Sequence, residues 1–174
     1  MNIAELATDS LKRVSDGVRR VLDGIDPDLL TAQLDGDTNT VAWLIWHLAR
    51  VQDAQVAQIA HIDQVWTVGG WAKKFALELP DTDTGYGHTP EEVRAVAASA
   101  ATLQSYYNAV EHQTNLYLHT LTEAALDQVI DTRWDPPVTL GVRLISILDD
   151  DLEHIGQAAF LRGILERRSS QNAS

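Results

Sequence analysis

The chain has 174 residues, of which 45% are hydrophobic, and this length suits one domain with a full apolar core. Its net charge is −12 and it contains only 13 lysines and arginines, so we expect no nucleic-acid partner, because such ligands require clustered basic side chains. The lack of cysteine excludes disulfides, thiolate metal ligands and a cysteine nucleophile. Any thiol chemistry must therefore use a thiol from outside the protein.

No segment of the sequence indicates that the protein associates with a membrane. The N-terminal residues lack the basic and apolar blocks of a signal peptide. The strongly apolar run at residues 41–49 is far shorter than a bilayer-spanning helix. We therefore expect a soluble, cytoplasmic protein whose partners include no membrane.

The first predicted helix begins at a capping box formed by Asn2 and Glu5, and it ends before Gly24 and the Asp26-Pro27 step. Residues 28–32 predict one or two further turns. The apolar face of the first helix comprises Leu6, Leu11, Val14, Val18, Val21 and Leu22.

The second predicted helix covers residues 40–61 and is capped by Asn39 or Thr40. At 100° per residue, His47 falls at the flank of the apolar stripe. We expect its side chain to point to the domain's edge or into a crevice. The stripe itself comprises Val41, Leu44, Ile45, Leu48, Val51 and Ile59.

Residues 62–88 interrupt the helical pattern with glycines and a proline, yet they contain Trp66, Trp71 and Phe75. Long connections of this kind are often functional loops or lids. The alternative is a loop whose aromatic side chains plug the end of a bundle.

The third predicted helix starts at Thr89, where Pro90 and Glu92 complete a strong start signal, and it continues to about residue 122. Residues 123–138 form a second loop with consecutive prolines, and we find no alternating strand signal in the chain.

The fourth predicted helix covers residues 139–168, with Thr139 as its cap. Its apolar arc comprises Leu144, Leu148, Leu152, Ile155 and Ala159. Residues 1–168 are therefore expected to form a single all-α domain, an antiparallel four-helix bundle with a long loop between the second and third helices. Residues 169–174 are expected to be a disordered tail.

The fourth helix also carries the sharpest chemical signal. Asp150 and His154 lie four residues apart, so their side chains share one helix face, and Asp151 lies nearer the centre of the apolar arc. Buried carboxylates are costly unless they are paired or bind a metal ion. A divalent ion with His47 as the third ligand satisfies this need, with Asp151 as an alternative to Asp150.

The structural alternative is that His154 is a hydrogen-bonded core histidine and that the three neighbouring aspartates are a solvated run. Surface or packing roles are expected for the remaining histidines, which are His61, His88, His112 and His119. The tryptophans are expected to be mainly core and loop anchors. The candidates for lining an apolar pocket are Trp43, Trp46, Trp66, Trp71 and Trp134, with Asp151 as a further candidate.

Two segments resemble the metal-binding helices of the DinB-like superfamily: Asn-Thr-Val-Ala-Trp-Leu-Ile-Trp-His-Leu-Ala at residues 39–49 and Asp-Asp-Leu-Glu-His-Ile-Gly-Gln at residues 150–157. These four-helix bundles include mycothiol- and bacillithiol-dependent thiol transferases. Most have a His-x-x-x-His pair on the last helix, where this chain has Asp150 and His154. The mycothiol-dependent maleylpyruvate isomerase looks similar in this respect, since it has Glu-x-x-x-His there.

The resemblance implies that His47, Asp150 and His154 bind a divalent metal, Zn2+ or Ni2+, and that the protein is a homodimer. It also implies an enzyme that activates a low-molecular-weight thiol, such as mycothiol, for transfer to an electrophilic small molecule. The alternatives are a metal-dependent hydrolase, in which water replaces sulfur as the nucleophile, and a non-catalytic, stress-related binding protein with a structural metal.

Overall fold

The protein is mostly helical in the computed structural model, which describes residues 1–172 and contains eight α-helices and one two-stranded sheet in that range. The helices are α1 (Ile3–Leu22), α2 (Pro27–Leu30), α3 (Val41–Ala60), α4 (Val65–Val68), α5 (Trp71–Phe75), α6 (Pro90–Ala95), α7 (Ala100–Leu118) and α8 (Leu140–Asn172). A 3-10 helix, Glu123–Asp127, precedes the antiparallel strands β1 (Val129–Asp131) and β2 (Val138–Thr139). Across residues 1–172, none of the helices combines the length and the apolar character that a bilayer crossing requires.

The predicted helix starts are confirmed. Asn2 and Glu5 form a reciprocal capping box at the start of α1. The Thr40 hydroxyl accepts a hydrogen bond from the backbone N–H of Trp43, and the Thr139 hydroxyl accepts one from Val142. These caps are predictable because each joins residues only three positions apart.

The long helices α1, α3, α7 and α8 form the predicted four-helix bundle, in which α1 and α3 each pack against both α7 and α8. Helices α3 and α8 are antiparallel, because Arg143 near the start of α8 bonds Gln58 near the end of α3. In contrast, α1 and α8 are parallel, since Arg162 donates to backbone carbonyls at the end of α1. The antiparallel arrangement therefore does not extend to every pair.

The mixed directions follow from the connection between α3 and α7, residues 61–99, which we call the crossover. It runs back along α3: Asp53 bonds the backbone of Val65, and Trp43, ten residues earlier on α3, bonds His88. The crossover therefore returns the chain to the end of the bundle where α3 began. It also covers the outer side of α3, and every residue at positions 41–50 is buried.

A buried ion pair attaches the crossover to α3. The Arg50 side chain is fully buried, and its Nε–H donates to the carbonyl oxygen of Asp83 over 3.1 Å. Its Nη1 donates to Gln64 Oε1 at 2.9 Å and lies 3.6 Å from the carboxylate of Asp53. Charge buried in this way is tolerated only where partners surround it.

Both oxygens of the Asp53 carboxylate accept hydrogen bonds. It accepts hydrogen bonds from the backbone N–H groups of Val65 and Trp66 and from the Tyr106 hydroxyl, each at 2.8 Å. The carboxylate thus holds the start of α4 and the side of α7 in place.

The prediction of a single third helix is wrong, because this segment forms two helices, α6 and α7. Val96 leaves the helical conformation and is fully buried, and the Ser99 hydroxyl then caps α7 by accepting from Thr102. No glycine or proline marks this break in the sequence. The two short strands were also missed, since they contain only three and two residues.

The apolar arc of α8 is rotated from the predicted one. Leu152 and Ala159 are exposed and Leu144 and Leu148 are only half-buried. On α1, Leu6 is likewise exposed. The buried stripe of α8 comprises Ile147, Asp151, Ile155, Ala158, Leu161 and Leu165.

The C-terminal end also differs from the expectation. Helix α8 continues through residues 169–172, which were predicted to begin a disordered tail. Residues 173–174 of that predicted tail lie outside the described residues.

We expect Asp53→Ala to lower the free energy of unfolding by about 3–5 kcal/mol, because it leaves the buried Arg50 guanidinium without its carboxylate. Urea denaturation followed by circular dichroism measures this. Asp16→Ala, which removes an exposed ion pair with Lys12, is the control and should change stability little. Equal effects of the two variants would contradict the structural role assigned to Asp53.

Candidate metal centre

Three side chains that the sequence singled out lie together. His47 projects from α3, and Asp150 and His154 project from the facing side of α8. One potential ligand atom from each lies within 4.8 Å of the others. His47 is buried, whereas Asp150 and His154 are half-buried, so the cluster lies at the edge of the core.

The crossover determines which nitrogen of His47 faces the cluster. His47 Nδ1 is hydrogen-bonded to the backbone carbonyl oxygen of Thr84. Because a carbonyl can only accept, Nδ1 carries the proton and Nε2 keeps its lone pair. A metal-binding histidine usually donates its other N–H in this way.

His154 is arranged similarly. Its Nδ1–H donates to Gln157 Oε1 at 3.2 Å, and its Nε2 lies 3.6 Å from Asp150 Oδ1. Both imidazoles therefore present Nε2 as the candidate ligand atom. Burial lowers the pKa of His47 to about 4, so its ring is neutral at pH 7, as metal binding requires.

The carboxylate of Asp150 lacks full compensation. Its Oδ2 is buried and has no hydrogen-bond partner in the described part of the chain. Burial raises the pKa of Asp150, and the nearby His154 offsets only part of that effect. An acidic oxygen without a donor beside two imidazole lone pairs is a donor set that fits a divalent cation.

Asp151 faces a different direction from Asp150. It is fully buried in the bundle, and neither of its carboxylate oxygens has a hydrogen-bond partner within residues 1–172. Burial, with the charge of Asp150, raises the pKa of its carboxyl well above the usual value. The geometry groups Asp150, and not Asp151, with the two histidines.

Of the predicted pocket-lining tryptophans, Trp43 lies beside the cluster. Its ring stacks on His47, with centroids 4.5 Å apart and planes at 8°, and it meets His154 edge-on at 6.2 Å. It therefore forms an apolar wall against both imidazoles.

Trp66 and Trp71 pack against other aromatic side chains. Trp66 is buried and packs against Phe75 at 5.1 Å and Tyr106 at 5.2 Å, and Trp71 packs against Tyr106 at 5.4 Å. The crossover packs these rings against α7, where Trp66 belongs to the buried core and Trp71 lies against it.

Sequence reasoning missed Thr84 and Gly85. Gly85 has φ +96°, and a Cβ there would lie 2.7 Å from His47 Nδ1 and 3.1 Å from Trp43 Cζ2. Only glycine lets the backbone approach the imidazole so closely. The sequence signals a turn at Gly85, but no spacing rule links that turn to His47.

The other histidines do not join the cluster. His61, His112 and His119 are exposed, and His61 ends α3 in a left-handed conformation. The side chain of His88 is buried in the crossover and contacts Trp43.

The fold is that of a DinB-like helical bundle. A crystal structure described as the conserved protein of a locus from Enterococcus faecalis is similar over 93% of this chain and 96% of its own, with 36% identity and a TM-score of 0.87. No curated protein matches the chain. The family model described as mycothiol-S-transferase matches residues 7–167, and the chain belongs to that family.

We expect Gly85→Ala to destabilise the protein more than Gly87→Ala does. Both glycines have positive φ, so each alanine costs about 1 kcal/mol of backbone strain. Only the Cβ at position 85 meets His47, which adds roughly 1–3 kcal/mol of steric cost and displaces Thr84 from the imidazole.

Urea denaturation measures the stability difference, and nitrogen NMR of the imidazoles reports the tautomer of His47. Gly87→Ala is the matched control, because nothing lies within 4 Å of the added Cβ. Identical losses and an unchanged His47 spectrum in both variants would contradict the close approach at Gly85.

Proposed function

We propose that this protein is a metal-dependent enzyme that activates a low-molecular-weight thiol, mycothiol or a similar compound, for transfer to an electrophilic small molecule. The observation that carries the proposal is the convergence of ligand atoms from His47, Asp150 and His154. Membership of a family described as mycothiol-S-transferase supports the choice of thiol.

The donor set favours a catalytic over a structural metal. Two imidazole nitrogens and one carboxylate oxygen leave a coordination position for another ligand, whereas structural zinc sites usually have four protein ligands. Imidazole ligands suit zinc and nickel. Bound there, such an ion would lower the pKa of a coordinated thiol, so that its sulfur would be a thiolate near neutral pH.

The side chains around the cluster have distinct tasks in this proposal. Thr84 keeps Nε2 of His47 free to bind, and Gln157 does the same for His154. The ring of Trp43 excludes water from one side of both imidazoles. Because the chain has no cysteine, the attacking sulfur comes from the thiol substrate. The thiol proton passes to solvent, the sulfur forms a carbon–sulfur bond to the electrophile, and the bond to the electrophile's leaving group breaks, so that this group departs with the bonding electron pair.

Elemental analysis after metal supplementation and desalting tests the site. We expect about one divalent ion per chain, as three ligands from a single chain require. His154→Ala should lose the ion, and His112→Ala, which changes an exposed histidine on α7, should retain it. A wild-type protein that retains no ion with added zinc or nickel would refute the proposal.

The thiol is tested on the same metal-loaded protein by calorimetric titration with mycothiol and by turnover with a panel of electrophiles. His47→Ala should abolish thiol-dependent turnover. Turnover that needs no thiol would favour the hydrolase. A large loss of melting temperature in His47→Ala, with no activity in the wild type, would favour a non-catalytic bundle with a structural metal.

An apolar stripe on the solvent side of α8 supports the proposal of a homodimer. Val142, Ile145, Leu152 and Phe160 are between 46% and 71% exposed and recur at helical spacing, opposite the buried stripe. The stripe continues into an apolar groove of about 390 Å³ between α1 and α8. A helix that is apolar on opposite faces needs a second partner, and we assign that place to a second copy of this chain.

We expect the wild-type protein to elute as a dimer in size-exclusion chromatography with light scattering, and Phe160→Glu to elute as a monomer, because the added charge would be buried at the interface. Tyr86→Glu, which alters a still more exposed aromatic of the crossover, is the control and should remain dimeric. A monomeric wild type at micromolar concentration would refute the dimer.

A further inference from the structure

The side chain of His88 is buried although it belongs to no candidate ligand set. Only 4% of its side chain is exposed, and both ring nitrogens are hydrogen-bonded. Nε2–H donates to Asp83 Oδ2 at 2.9 Å, and Nδ1 accepts from the indole N–H of Trp43 at 3.0 Å. An indole can only donate and a carboxylate can only accept, so the role of each nitrogen is fixed.

The partner of His88 on α3 is the wall of the metal centre. The Trp43 ring is nearly parallel to His47 and perpendicular to His154, so its position limits where both imidazoles can lie. A single hydrogen bond between His88 and Trp43 holds the polar edge of this ring. Without it, the indole could rotate and the two imidazoles would lose a common support.

Asp83, the hydrogen-bond partner of His88 Nε2, is held in place by two further hydrogen bonds. Its Oδ1 accepts from the backbone N–H of Gly85 at 2.9 Å, and its carbonyl oxygen accepts from the buried Arg50. A continuous chain of hydrogen bonds thus runs from the core ion pair through Asp83 and His88 to Trp43.

We propose that His88 is a positioning residue of the metal centre, which acts through Trp43 to hold His47 and His154 in their binding geometry. This inference rests on the proposed function, because it presumes a metal at the cluster. His88 does not bind the metal, since both of its nitrogens are occupied. Groups that orient metal ligands in this indirect way commonly change metal affinity about 10–100-fold when removed.

Two substitutions remove the hydrogen bond from opposite ends. His88→Phe keeps a ring where His88 stacks on Trp46 at 5.8 Å but removes both hydrogen bonds. Trp43→Phe keeps an aromatic ring near His47 but removes the N–H donor. We expect each to raise the zinc dissociation constant by about tenfold in competition with a chromophoric chelator.

The visible absorption of the cobalt-substituted protein separates positioning from general stability, since it reports the geometry of the ligands. His88→Phe should shift or weaken these bands. His88→Asn should restore them in part, because its amide oxygen lies close to the former place of Nδ1 and accepts from Trp43. Tyr86→Ala is the control within the same segment, because Tyr86 is 94% exposed, and it should match the wild type.

The outcomes are distinguishable. A wild-type protein that binds neither zinc nor cobalt overturns the proposed function and this inference with it. A wild type that binds zinc, with both variants within about twofold of its dissociation constant and with unchanged cobalt spectra, overturns the positioning role alone. If His88→Phe does not fold by circular dichroism, Trp43→Phe decides.

Discussion

The buried charge of Arg50 is the constraint on which the rest of the structure depends. Removing a guanidinium from water costs several kcal/mol, and only surrounding partners offset this cost. Asp53 lies on the same helix, but Gln64 and the carbonyl oxygen of Asp83 belong to the crossover. The charge can therefore be buried only when the crossover lies along α3. This requirement fixes the path by which the chain returns along the bundle.

The same attachment builds the candidate metal centre. Asp83 is followed directly by Thr84 and Gly85, so the carbonyl group that selects the His47 tautomer and the glycine that permits its approach are placed by the Arg50 contact. Two helices bring the ligand atoms together, and the crossover determines which nitrogen is free. We infer that the crossover is not merely a loop over the bundle but forms one wall of the candidate site.

Signals that act over three or four residues were predictable from the sequence. The caps at Asn2, Thr40 and Thr139 were of this kind, and so was the shared face of Asp150 and His154. The break before α7 was not predictable, because the sequence has no glycine or proline there. Helix α6 ends where residues distant in the chain bury Val96. Tertiary packing thus overrode a continuous helical pattern.

By itself, the sequence determined the chemistry available to the protein: two imidazoles and a carboxylate on helices, and no thiol. Tertiary structure decided how these groups are used. Asp150 and Asp151 are 100° apart on α8, and only the packing of α8 against α1 and α3 directs Asp150 to the histidines and Asp151 into the core. The support of His47 by Thr84, and of Trp43 by His88, joins residues far apart in the chain. Periodicity and spacing contain no information about such contacts, because they describe one helix at a time.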